Sequence, residues 1–144
     1  MTTQNKLTFS FVCGITLLLL AELFLSSHTA LAGSHRIFEM RTYTTHSGKL
    51  DDLHDRFKNH TNSLFVKHGM HLIGYWTPTE MPKSENTLIY ILSYPNPAAR
   101  KKSWEAFLAD PVWQDAFKNS IRNGRLVKEI SSTFLNATEY SPIQ

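Results

Sequence analysis

Seven histidines and the alternation Glu39-x-Arg41-x-Tyr43 are the features of this chain whose residue types could do chemistry. His54, His60 and His68 fall in one helical pattern, and His71 lies just beyond it. Metal ligation from a helix needs two imidazoles three or four positions apart on one face, and no pair within this helix has that spacing. His68 and His71 are three apart, but Gly69 breaks the helix between them and their directions diverge. No metal site is expected, and His60 is expected to be a half-buried, hydrogen-bonded residue. No motif marks a haem ligand, so no cofactor is expected either.

Arg41 invites two readings. Paired with Glu39 on one strand face, it is a salt bridge that sets the register of a dimer; alone, its planar fork clamps a carboxylate or phosphate of a ligand. Tyr43, Tyr75, Trp76, Tyr90 and Tyr94 could wall an aromatic pocket or simply pack. Together Glu39, Arg41, Tyr43, His71, Tyr75, Trp76 and Tyr90 are the candidate ligand-binding residues, and no catalytic residue is assigned. There is no G-x-S-x-G turn and no glycine-rich phosphate loop, which disfavours covalent and nucleotide-dependent catalysis.

The elements that must position these side chains read in the order βαββααβ. R-I-F-E-M-R-T-Y-T at 36–44 alternates as a strand. Ser47 and Gly48 turn the chain. Asp51 and Asp52 then favour the start of a helix of about five turns, Lys67 and His68 its end, and Gly69 a residue of positive φ after it. Leu50, Leu53, Phe57, Leu64 and Phe65 form its apolar stripe. Strands follow at 70–77 and 87–94, separated by a polar loop at 78–86. Asn96 with Pro97 and Asp110 with Pro111 cap two consecutive helices. Trp104, Phe107, Leu108, Trp113, Phe117 and Ile121 are their apolar positions, with Trp104 and Trp113 read as core. Gly124 ends the second helix, and V-K-E-I-S-S-T-F-L at 127–135 is the last strand.

Residues 1–32 stand apart. Lys6 precedes an apolar stretch, and S-S-H-T-A-L-A supplies a small-residue cleavage pattern, so the segment reads as a signal peptide cleaved after Ala32. Glu22 interrupts the stretch and makes it a poor permanent span, since a central charge costs about 2.5–3.5 kcal/mol. The expectation is an exported domain, periplasmic or secreted, at 33–144, touching a membrane only if the segment is retained. Cleavage removes one cation, one anion and the only cysteine, Cys13, so the domain keeps the chain's net charge of +3 and has no disulfide. The run Arg100-Lys101-Lys102 reads as a solvated helix face, and no basic stripe points to nucleic acid.

The order βαββααβ is a ferredoxin-like α+β arrangement: a four-stranded antiparallel sheet with all helices on one face. Taking Phe38, Met40, Ile89 and Ile91 as the helix-facing set leaves Glu39, Arg41, Tyr43, Tyr90 and Tyr94 on the bare face. That face is too aromatic to stay wet. A second copy covering it gives a homodimeric α+β barrel, with a small-molecule cavity between sheet and helices or at the barrel mouth.

The combination E-M-R-T-Y at 39–43, S-G-K-L at 47–50, K-H-G-M at 67–70, G-Y-W at 74–76, N-T-L-I-Y-I at 86–91 and W-E-A-F-L-A-D-P-V-W at 104–113 resembles the NIPSNAP family over 36–142. The resemblance implies the dimeric α+β barrel fold and no agreed reaction. An exported single-domain chain looks like a short bacterial-type member, so the trafficking roles linked with animal members are not carried over. Three functions remain open: a homodimeric small-ligand-binding or interaction module, a monooxygenase-like enzyme acting on a small apolar or haem-like ligand in the cavity, and a structural subunit of a larger assembly. Whether the chain is an enzyme is left undecided.

Overall fold

The computed structural model describes residues 36–144, so the segment read as a signal peptide lies outside the described residues. Strand β1 is Ile37–Thr45. Helix α1 follows in three parts: α-helical Leu50–Arg56, a π-helical turn Phe57–Thr61, and α-helical Asn62–Lys67. Then come β2, His71–Trp76; β3, Thr87–Tyr94; α2, Pro97–Ala109; α3, Pro111–Ser120; and β4, Val127–Asn136. The sheet order is β2-β3-β1-β4, antiparallel throughout, which is the ferredoxin-like α+β arrangement. Among the described residues no helix is long and apolar enough to cross a membrane.

Local chemistry sets the boundaries. Asn96 accepts a hydrogen bond from the Ala99 N–H and Asp110 one from the Val112 N–H, each at 2.8 Å, with proline opening the helix that follows. Gly69 has φ +78° and lets the chain leave α1 and enter β2. Asp110 also ties the end of α1 to the start of α3, through Lys67 Nζ and His68 Nε2, both at 2.7 Å. These two partners hold its carboxyl well below the usual carboxylate range.

Pairing fixes the faces. Arg41 stands opposite Tyr90 and Ser132, and Tyr43 opposite Leu88 and Ile130; this set faces the helices. Met40 lies opposite Ile91 and Thr133, and Thr42 opposite Ile89 and Ser131; this set forms the bare face. The faces are therefore the reverse of those expected from the sequence. Tyr90, Tyr94 and Glu39 are fully buried, while Phe38, Met40, Ile89 and Ile91 belong to the face without helices. The expectation placed the charged set, with Glu39 and Arg41, on the bare face. It fails because Glu39 and Arg41 neutralise each other inside the fold, which offsets the cost of burying either alone.

The core lies between this sheet face and α1 and α2, where Leu53, Phe57, Phe65, Tyr90, Leu92 and Phe107 pack together. Phe65 meets Phe107 at 4.8 Å and Trp104 edge-on at 5.5 Å between ring centroids. Burying a side chain of this size contributes about 1.5–3 kcal/mol.

Candidate ligand cavity

Glu39 organises the helix-facing side of the sheet. Its two oxygens accept six hydrogen bonds: from Arg41 Nη1, Tyr94 Oη, Arg100 Nε and Nη2, Trp104 Nε1 and Ser132 Oγ, at 2.7–3.2 Å. Burial alone would raise its carboxyl, but the hydrogen bonds from Arg100, Ser132 and Arg41 outweigh it and bring the pKa down to about 2. With all its acceptor capacity used, Glu39 is anchored and has nothing left for a ligand.

Beside it opens a cavity of about 780 Å³, lined by Arg41, Tyr43, Arg56, Trp104, Trp113 and Phe117 among others, and reaching Ile130 of β4. The volume is within the range of small-molecule sites. Arg41 lies over the Trp104 ring at 4.5 Å and donates to Tyr43 Oη at 3.4 Å. Tyr43 also accepts from Tyr90 Oη at 2.9 Å. Burial and then the neighbouring Tyr43 push the Tyr90 hydroxyl well above its ordinary value, so it holds its proton. Opposite these, Arg56 packs its guanidinium at 5.5 Å from the Trp113 ring centroid and 5.4 Å from that of Phe117, and donates to Ser120 Oγ at 3.2 Å.

The structure divides the sequence-derived candidates. Glu39, Arg41, Tyr43 and Tyr90 come together inside, with Arg41 and Tyr43 on the cavity wall. The Glu39–Arg41 pair lies in the interior of this chain's own fold, on the helix-facing side of the sheet, and not on a surface open to a second copy. Tyr75 shares their sheet face and stacks on Tyr90 at 5.6 Å, but it borders a separate pocket with His54 and Asn62. Trp76 and His71 point to the opposite face: Trp76 is 50 % exposed and His71 is exposed. His71 therefore cannot share a ligand with Arg41. Gly74 explains the G-Y-W spacing, because a Cβ there would sit 2.7 Å from the Trp76 indole lying over it.

Other expectations change as well. His60 is exposed rather than half-buried, since the π turn carries one extra residue and brings Thr61 to the buried position. Arg100 turns inward to Glu39 while Lys101 and Lys102 stay exposed, so the basic run is not wholly a solvated face. Trp104 and Trp113 are half-buried cavity walls, not closed core. Arg56 was missed, although its place between Leu53 and Phe57 puts a cation within the apolar stripe. No group of three or more His, Cys, Asp or Glu is placed to hold a metal among the described residues.

The NIPSNAP family model matches residues 38–142. The chain belongs to the NIPSNAP family. Among solved structures it is similar to a NIPSNAP-like domain protein from Burkholderia xenovorans, at TM-score 0.66 and 22% identity over 76% of this chain and 90% of that one. It is also similar to a NIPSNAP family protein of unknown function from Agrobacterium tumefaciens, at TM-score 0.67 and 20% identity over 78% and 96%. SnoaB, a cofactor-independent oxygenase from Streptomyces nogalater, shares the fold more distantly, at TM-score 0.51 and 16% identity over 75% and 98%. No curated protein matches this NIPSNAP chain.

Proposed function

We propose that this NIPSNAP protein is an exported homodimer that binds a small molecule in the cavity between its sheet and helices. The observation that carries the binding reading is the cavity itself: about 780 Å³, walled by aromatic rings and holding buried guanidiniums. A purely structural core would close such a space, because an unfilled void forfeits contacts and costs stability. Dimerisation is supported by the bare face, where Met40, Ile89, Ile91 and Trp76 form an apolar surface. Export is supported by the apolar stretch and the A-L-A site before Gly33.

An enzyme resembling the oxygenases would use the same cavity. The specific feature in its favour is the Tyr43–Tyr90 hydroxyl pair beside Arg41. With its pKa raised, Tyr90 is suited to donate hydrogen bonds and unsuited to act as a base, so binding without reaction is the better reading.

The test is a native mass spectrum of protein expressed as the full chain in a bacterial host and purified from extract without refolding. A dimer of chains beginning at Gly33 and carrying discrete extra mass is the expected result. A monomer overturns the dimer, an uncleaved chain overturns export, and a dimer that neither arrives with nor takes up any small molecule overturns binding.

A further inference from the structure

Arg56 is 6 % exposed, and its Nε is buried without a hydrogen-bond partner. Among the described residues no carboxylate forms an ion pair with it. Of the two buried carboxylates among the described residues, Glu39 is taken up by Arg41 and Arg100, and Asp110 by Lys67 and His68. Four guanidiniums border the cavity: Arg41 and Arg100 are paired with Glu39, Arg125 is exposed, and Arg56 is buried with no carboxylate paired to it among the described residues. A buried cation without an anion costs several kcal/mol, and stacking on Trp113 and Phe117 recovers only about 1–2 kcal/mol.

Two further donor groups belong to residues that line the same cavity, Arg41 and Tyr43. Arg41 Nε is buried and also has no partner. Tyr43 Oη accepts from Arg41 and from Tyr90, and its own proton meets no acceptor among the described residues. Both arginines line the cavity with Tyr43, and both feel the Tyr43–Tyr90 hydroxyl pair electrostatically. Trp104, Phe107, Trp113, Phe117 and Ile121 give the wall a continuous apolar part, and Thr61, Arg100, Arg125, Lys128 and Glu129 also border it.

We propose that the cavity takes an amphipathic monocarboxylate, its carboxylate held by Arg56, Arg41 and the Tyr43 hydroxyl and its apolar body laid along Trp104, Phe107, Trp113 and Phe117. This rests on the binding reading above and adds the ligand class. A guanidinium supplies two parallel N–H donors to a carboxylate, a geometry that an alcohol cannot match. One negative charge answers the one buried cavity guanidinium left without a counter-ion among the described residues. Arg125 and Lys128 on the cavity wall add attraction for an anion, partly offset by Glu129.

The test titrates the purified full-length protein, stripped of bound small molecules, with octanoate and 1-naphthoate and with the neutral analogues octanol and 1-naphthalenemethanol, by calorimetry. At least one acid should bind ten-fold or more tightly than its alcohol. Arg56→Met should abolish that preference by weakening the acid far more than its alcohol. Arg56→Lys, which keeps the charge and loses the fork, should retain part of it and stands in should the Met variant fail to fold. Equal affinity for acid and alcohol in the wild type overturns the carboxylate clamp but leaves the binding reading intact. Absence of binding by all four probes to a folded protein overturns both.

Discussion

Glu39 shows how a single residue decides which way a strand faces. Its partners come from β1, β3, α2 and β4, so the carboxylate is satisfied only once four elements have assembled around it. Glu39→Gln replaces an anion by a neutral amide beside two guanidiniums and should cost roughly 3–5 kcal/mol, the range for breaking a buried pair by removing one partner. Urea denaturation at pH 7 measures it. The pH dependence has a definite sign. The folded-state pKa of Glu39 is depressed from 4.5 to about 2, so its stabilisation is complete above about 4.5 and is lost as the pH falls through about 2. The stability gap between wild type and Glu39→Gln should therefore stay constant from pH 7 to pH 5 and shrink steadily below 4.5. A gap unchanged at pH 2.5 would mean that the carboxyl is not the group responsible.

The same residue marks the limit of what the sequence discloses. Alternation in E-M-R-T-Y separates two sets of side chains, but a one-residue change of register exchanges their faces. A strand read alone puts charge outward. Only Arg100, Trp104 and Ser132, distant in sequence, show that this charge belongs inside.

Among the elements, the caps were legible because each is a local chemical event: Asn96 and Asp110 accept from N–H groups two or three residues ahead, and Gly69 takes up a positive φ. Gly69→Ala should cost about 1–2 kcal/mol, the penalty of a left-handed conformation. The added Cβ meets only Ser103 Oγ at an ordinary 3.5 Å, so the cost is conformational and Gly69→Asn should recover part of it in thermal unfolding. The π turn in α1 was not legible. It moves one hydrogen bond from i−4 to i−5, seen where the Asn62 N–H donates to Phe57 O, and leaves the apolar spacing looking helical. Thr61 Oγ1 donates to the Arg56 carbonyl within this turn, at 3.2 Å. Thr61→Val keeps the shape and removes that bond, so it should cost about 1 kcal/mol and loosen Arg56. The carboxylate preference of the cavity should fall with it while alcohol affinity holds; an unchanged preference would show that Arg56 is placed by Trp113 and Ser120 instead.

At the scale of the whole molecule, reversing the sheet faces changes which residues a second copy would meet. The expectation of a covered face was built on tyrosines that turn out to be core, yet the true helix-free face is apolar in its own right. Met40, Ile89, Ile91 and Trp76 lie on the helix-free side without a buried charge among them, and apolar area of this kind is what association removes from water. Ile91 is paired with Met40 on the central strand and with Gly74 on the other side, near the middle of the sheet. Ile91→Arg would bury an unpaired guanidinium in each half of a two-sheet interface, at a cost of several kcal/mol per dimer, but leaves the helix-facing core untouched. Sedimentation equilibrium should therefore show a wild-type dimer and an Ile91→Arg monomer that keeps its near-ultraviolet circular dichroism. Val66→Arg, an equally large change on the exposed side of α1 where Val66 is 59 % exposed, should leave the dimer intact. Dissociation by Val66→Arg but not by Ile91→Arg would place the interface on the helices, and the barrel arrangement of two sheets would then have to be given up.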